Sequence, residues 1–166
     1  VRKRKKPVGS SWRMDETYIK LRGKWVYLYR ALDSLGNTVD FLLREHRDKV
    51  AAQAFFRKAF KENCLPEKVV IDKSGSNIAA LKDLNDEIPE GYKIKVLQVK
   101  YLNNIAEQDH RFIKKRTKPT LGFKNFFSAE TTITGIENIR IIQKGQIIGT
   151  NNKLSTFENF KMLMGA

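Results

Sequence analysis

Lys68 to Ile71 (KVVI) is a short, apolar, β-branched run that stops at Asp72 and follows a chain-breaking Pro66. Unbroken apolarity over the length of a strand demands cover on both faces, so this segment reads as a central strand. Whatever the chain folds into must therefore supply helices to both sides of a sheet. The segments before it provide the rest of that sheet. Trp12 to Leu21 and Trp25 to Leu32 are rich in aromatic and β-branched residues and are separated by Arg22 to Lys24, which predicts a hairpin. Leu35-Gly36-Asn37 supplies a second turn, and Thr38 to Leu43 a third strand.

Beyond this meander the period changes. Val50 to Phe60 carries apolar residues at helical spacing, and Ile78 to Leu84 follows a turn with helix-capping residues at Lys73 to Asn77. Lys93 to Val99 alternates as a fifth strand, and Asn103 to Lys114 reads as a helix. Thr117 to Gly122 is a Pro/Gly-interrupted loop, Ser128 to Ile142 predicts a last helix with Ser128 as its cap, and Gly149 to Ala166 is weakly patterned. A hairpin-rich start followed by strand–helix alternation indicates an α/β protein. The expected fold is ribonuclease-H-like: a mixed five-stranded sheet, three antiparallel strands then two parallel, with helices on both faces. Residues 1–11 read as a basic N-terminal arm or linker remnant, 12–146 as the ribonuclease-H-like domain and 147–166 as a C-terminal tail. The chain starts at Val1 without an initiator Met, so an N-terminal part is expected to be missing.

Charge narrows the partner. Lys and Arg number 32 against 18 Asp and Glu, a net +14 with a pI near 9.9. A chain this basic favours a polyanion, most commonly nucleic acid, and the five positive charges of VRKRKK suit phosphate tracking by a flexible arm. No apolar run approaches the roughly 20 residues of a bilayer span, so no membrane role is expected. No signal peptide is visible, and a cytoplasmic protein is expected. Cys64 is the lone cysteine, which excludes an internal disulfide; beside only His46 and His110 it leaves no structural zinc site, and a buried packing role is expected for the thiol.

Asp15 lies within the first strand, Asp72 ends the fourth, and Glu107 sits on the helix after the fifth. At 100° per residue Asn103, Glu107, His110 and Lys114 share one side of that helix, opposite Leu102, Ile105, Ala106, Phe112 and Ile113. Such a stripe is also what any solvated helix face presents. If the first and fourth strands pair at mid-sheet, the three carboxylates converge into an oxygen-only site suited to Mg²⁺ or Mn²⁺ rather than zinc. Two such ions about 4 Å apart support in-line attack on a phosphodiester. Among competing acids, Asp109 falls in the apolar stripe about 200° from Glu107 and reads as buried and structural, Glu16 alternates to the face opposite Asp15, and Asp33 and Asp40 sit beside turns. Trp12 and Trp25 read as core residues.

The blocks Trp12 to Lys20 (WRMDETYIK), Gly23 to Ala31 (GKWVYLYRA), Asp40 to Leu43, Arg47-Asp48, Tyr101 to Asn104 and Glu107 to Arg111 (EQDHR) resemble the catalytic domain of bacterial insertion-sequence transposases of the Asp-Asp-Glu class. The likeness is to the sixth insertion-sequence family, whose domain is similar to the retroviral integrase core, and it runs from about Trp12 to Gln146. It implies a metal-dependent DNA strand transferase and endonuclease, using two Mg²⁺ or Mn²⁺ ions. Such an enzyme cleaves at transposon ends and transfers 3′-hydroxyl strands into target DNA. Asp15, Asp72 and Glu107 match the catalytic and metal-binding triad. Lys114 matches a basic residue seven positions beyond the glutamate, two helical turns along the same face, where an ammonium can hold a phosphate or terminal bases. Asn103, Asn104 and His110 belong to the same motif and are assigned supporting contacts. The implied partners are the terminal inverted repeats and the target DNA, with a homodimer or higher oligomer to join two ends, and the implied setting is a bacterial cytoplasm, in association with the nucleoid. The alternatives are a ribonuclease-H-like nuclease without strand transfer and an inactive DNA-binding transposase fragment. Family members usually carry a helix-turn-helix or zinc-binding region before this domain, which this chain lacks, and Ala106 stands where a larger apolar residue is usual.

Overall fold

Arg22 and Gly23, both at positive φ (47° and 79°), close the two-residue turn that folds Ser11–Leu21 (β1) back on Lys24–Asp33 (β2). Positive φ at both central positions matches the right-handed twist of the flanking strands. Thr38–Arg44 (β3) continues the meander. The turn before it is fastened by Asp33, whose carboxylate accepts hydrogen bonds from the backbone N–H groups of Leu35, Asn37 and Gly9. The computed structural model describes residues 4–72, 74–99, 104–117 and 122–165, and for residues 104–107 the backbone alone.

Lys68–Ile71 (β4) lies parallel to β1, with Ser11 opposite Lys68 and Arg13 opposite Val70; Lys95–Gln98 (β5) lies parallel to β4. The strand order is β3-β2-β1-β4-β5, the mixed sheet expected of a ribonuclease-H-like fold. Val69, Val70 and Ile71 are all buried, as their continuous apolarity requires.

Each face of the sheet has its own core. Lys49–Asn63 (α1) and Gly75–Asp86 (α2) bury Phe55, Phe56 and Leu81 against Trp12, Met14 and Ile71. Asn104–Thr117 (α3) and Phe126–Gln143 (α4) bury Ile113, Ala129 and Ile133 against Ile19, Leu28 and Phe41 on the other side. The sides are unequal along β1. Its even positions, Trp12 and Met14, are buried under α1 and α2, whereas at its far end the buried positions are odd, Thr17 and Ile19, beneath α3 and α4. The handover between the two cores falls at Asp15 and Glu16.

Local chemistry sets the helix ends. Asp48 caps α1 by accepting from Ala51 N–H at 2.7 Å. The cap of α4 is Asn125, which accepts from Ser128 N–H at 2.7 Å, so the helix begins ahead of the expected Ser128. The weakly patterned end holds a further helix, Thr156–Met164 (α5), opened by a reciprocal capping box between Ser155 and Glu158 and closed by Gly165 at φ 77°.

Three further expectations are corrected. Cys64 is exposed, because it terminates α1 in a positive-φ conformation that turns it away from the core. Trp25 is exposed too, since it follows the hairpin turn on the part of the even face that α1 does not reach. Asp40 lies inside β3 and not beside a turn, where it pairs with Lys58. The described part of the basic arm is tied to the body: Lys6 N–H donates to Gln146 O, Ile148 N–H donates to Arg4 O, and the Lys5 ammonium donates to the Val39 carbonyl and Asn63. Residues 1–3 lie outside the description. Among the described residues, no helix is long and apolar enough to cross a membrane.

Candidate active site

The pairing of β1 with β4 carries the site. Continuing its register from Arg13 opposite Val70 brings Asp15 level with Asp72, at the point where β4 ends and β1 runs on past it. Carboxylate oxygens of Asp15, Glu16 and Asp72 all come within 4.8 Å of one another. Glu16 was expected to point away from Asp15 by strand alternation. It joins because the edge of β1 beside Asp15 and Glu16 lies in the gap between the end of β4 at Ile71 and the Leu21–Phe123 bridge, so side chains from both faces reach around it. The strand-period rule holds along β1 but does not separate the two acids at a strand edge.

Each acid has a local anchor. Asp72 Oδ1 accepts from Ser74 N–H at 3.0 Å, a turn that hands the chain to α2. Asp15 Oδ1 accepts from Glu16 N–H at 2.9 Å, and Glu16 is paired with Arg47 at 3.2 Å in the loop before α1. Burial, followed by the adjacent charges of Glu16 and Asp72, pushes the Asp15 carboxyl up to about 7 despite the opposing bond from Glu16 N–H and the Arg47 charge. Three clustered carboxylates with one partly neutralising arginine repel one another and call for a cation. The donor set is all carboxylate oxygen, hard and oxygen-only, and so fits Mg²⁺ or Mn²⁺ better than a soft metal.

α3 meets this cluster through His110, whose Nδ1 lies 3.5 Å from Asp15 Oδ2. Burial, then the charges of Arg30 and Lys114, lowers the imidazole to about 3. The contact is therefore a close approach of a neutral ring and not an ion pair, and Nε2 on its far side is buried without a hydrogen-bond partner among the described residues. The wheel placed His110 on the polar side of α3, and at His110 that side is turned onto β1. Glu107 is one turn before His110 on the same helix; its side chain, with those of Asn104 and Ala106, lies outside the description, as does the whole of Asn103. Lys114 is exposed in the last turn of α3, where its charge suits the C-terminal end of the helix dipole.

Asp109 is buried and structural, as its wheel position implied. Arg30 on β2 is fully buried and donates to Asp109 and to Glu137 of α4, both at 2.5 Å, and Arg140 and Lys144 complete the set around Asp109. Burial opposes ionisation of Asp109, but Arg30 and Lys144 hold it down at about 2. Outside this network, Phe112 is flanked by the guanidinium groups of Arg116 and Arg140. These contacts set the register of α3 on the sheet, and with it where Glu107 and His110 fall. Arg30, Glu137 and Lys144 were not singled out from sequence; a lone Arg inside the apolar run WVYLYRAL was the available signal.

A ribonuclease-H-like sheet with acids gathered where the central parallel strands end defines a class of nucleic-acid phosphotransfer domains. Residues 9–146 match the family model of the DDE domain, DDE_Tnp_IS240, and the chain belongs to that family of insertion-sequence transposases. It is 40% identical over 146 residues to the transposase for insertion sequence-like element IS431mec of Staphylococcus aureus strain Mu50, covering 86% of this chain. The transposase of IS257 in transposon Tn4003 of S. aureus matches to the same degree. The chain spans 62% of the length of these relatives. Among solved structures, the HTLV-2 integrase catalytic core domain in complex with magnesium, in its trimeric form, superposes with a TM-score of 0.61 at 13% identity, covering 92% of this chain and 97% of that one. The catalytic core domain of BIV integrase gives 0.55 at 11% identity over 95% and 97%. These structural likenesses bear on the fold.

Proposed function

We propose that this domain cleaves DNA at transposon ends and transfers the resulting 3′-hydroxyl strands into target DNA. The reading rests on one observation: Asp15 and Asp72 meet across the parallel β1–β4 pair, with α3 docked against Asp15. Asp15, Asp72 and Glu107 are the ligands in this reading, Glu107 completing the set from α3, and two Mg²⁺ or Mn²⁺ ions are the cofactors. When bound, the ions supply activation of a water or 3′-hydroxyl and charge stabilisation at the leaving oxygen. The chain's own residues do the positioning. Ser74 N–H and Glu16 N–H each hold one oxygen of Asp72 and Asp15, leaving the others free for the site. Buried His110 packs against Asp15 and excludes water from its inner side. Lys114 holds a phosphate or terminal bases along the α3 face.

The partners in this reading are the terminal inverted repeats and the target DNA, bound by at least a homodimer since two ends must be joined. The place of action is the cytoplasm, at the nucleoid. The HTLV-2 likeness, whose structure contains magnesium, supports the choice of metal. The test is nicking of a duplex bearing the terminal repeats. Nicking is expected with Mg²⁺, to stop on chelation, and to fall by orders of magnitude in Asp72→Asn. Joining of the nicked strand to a second duplex is expected as well. Hydrolysis without joining would reassign the domain as a nuclease, and nicking by Asp72→Asn at the parent rate would remove the site assignment.

A further inference from the structure

The two tryptophans have separate fates. Trp12 is buried with its Nε1 donating to the Gly9 carbonyl, whereas Trp25 is 58% exposed. Large exposed aromatics in a cluster are the informative exception to surface composition. Beside Trp25 stands Tyr18, 49% exposed, with ring centroids 6.2 Å apart and edge-on; Tyr18 meets Tyr27 in turn at 5.8 Å. The antiparallel register puts them together, with Tyr18 opposite Tyr27 and Lys20 opposite Trp25 on one face of the hairpin. Tyr18 and Trp25 border a cleft of about 480 Å³ whose lining includes Lys20, Lys114 and Phe123 and, among the described residues, no carboxylate. Both lysines are exposed, and among the described residues neither forms an ion pair.

Two routes lead from the acidic cluster to this cleft. Tyr18 is three residues beyond Asp15 on β1, roughly 10 Å along the strand. Lys114 is two turns beyond Glu107 on α3, also roughly 10 Å. That distance is about three steps of a nucleic-acid strand. A surface of aromatic rings flanked by unpaired ammonium groups and free of acids complements a base and its phosphates, and a protein partner of ordinary composition would find no carboxylate-free match of this kind. Inside a duplex both faces of a base are already stacked and at a blunt end one face still is, so the rings can enclose a base fully only when it has left the helix.

We infer that the Tyr18–Trp25 cleft is a stacking site for an unpaired nucleotide of the DNA end, its base on the rings and its phosphates on Lys20 and Lys114. The inference rests on the DNA-acting reading of the acidic cluster. Its test is metal-free binding by the 166-residue chain, with nicking measured separately. One duplex carries three unpaired nucleotides at its end and another of equal charge is blunt. Trp25 emission is expected to be quenched by the unpaired end, buried Trp12 serving as the unresponsive reference, which Trp25→Phe isolates. Trp25→Ala is expected to weaken binding of the unpaired end about tenfold, with Trp25→Phe restoring most of it and blunt-duplex binding little changed. Equal binding of both DNAs by parent and Trp25→Ala, or equal quenching by a sulfated polysaccharide, would overturn the inference. If Asp72→Asn retains nicking while the unpaired-end preference stands, the catalytic assignment fails and the stacking site survives.

Discussion

Asp15 and His110 face each other at the joint between β1 and α3, and burial moves their proton affinities in opposite senses. Asp15 is raised from 3.8 to about 7, so between those values the folded chain holds a proton that the unfolded chain releases. Stability gained at low pH is thus lost as pH rises to 7. His110 is lowered from 6.5 to about 3, so in that window the unfolded chain binds the extra proton and stability is lost as pH falls. The two slopes oppose each other, and single variants expose them. Metal-free Asp15→Asn is expected to melt higher than the parent at pH 7.5, by up to about 2–4 kcal/mol of unfolding free energy, and added Mg²⁺ is expected to stabilise the parent but not the variant. His110→Gln is expected to leave the Asp15 slope unopposed, so that stability rises relative to the parent as pH falls from 6 to 4. Urea unfolding across that range, with and without Mg²⁺, checks both.

At the scale of the element, α3 matters most because it carries Glu107, the proposed third ligand, and its position is set by charges sealed in the interior. Arg30 lies under α3 and α4 with Asp109 and Glu137 as its partners. A buried pair contributes little against an apolar substitute, but removing one partner leaves an uncompensated charge. Glu137→Ala is therefore expected to cost about 3–5 kcal/mol in urea unfolding, and Arg30→Met combined with Glu137→Met to recover much of that loss. α5 behaves independently by comparison. Its capping box stands at the chain end, and Ser155→Ala is expected to cost about 1 kcal/mol locally, seen as faster amide exchange in residues 156–164 without a change in global melting.

For the whole molecule, net charge governs how it meets DNA. A chain of +14 is expected to bind duplex DNA of any sequence with an affinity that falls steeply as salt rises, because each phosphate contact releases a counterion. Lys114→Ala is expected to reduce the slope of log affinity against log salt by about one, with a similar loss for every sequence, if its ammonium contacts a phosphate. A titration between 50 and 200 mM salt reads this directly. Measurement at one salt concentration would merge that loss with the Trp25 effect, which is short-ranged and weakly salt-dependent.

The sequence by itself determined the sheet and its cover. Alternation and turn residues placed β1 to β3, unbroken apolarity made β4 central, and period changes marked the helices, because these signals act within a few residues along the chain. It also carried the likeness to the transposase family, with Asp15 and Glu107 inside the blocks that make it and Asp72 picked out because it ends the apolar run of β4. Tertiary structure decided what depends on where an edge falls. Glu16 enters the acidic cluster only because β4 stops at Ile71 and leaves a gap along the β1 edge before the Leu21–Phe123 bridge. His110 is buried only because α3 is rolled onto β1 by the Arg30 and Asp109 pairing. Trp25 is on the surface only because α1 ends its cover before the hairpin tip, and no pattern within a strand reports how far a neighbouring helix extends.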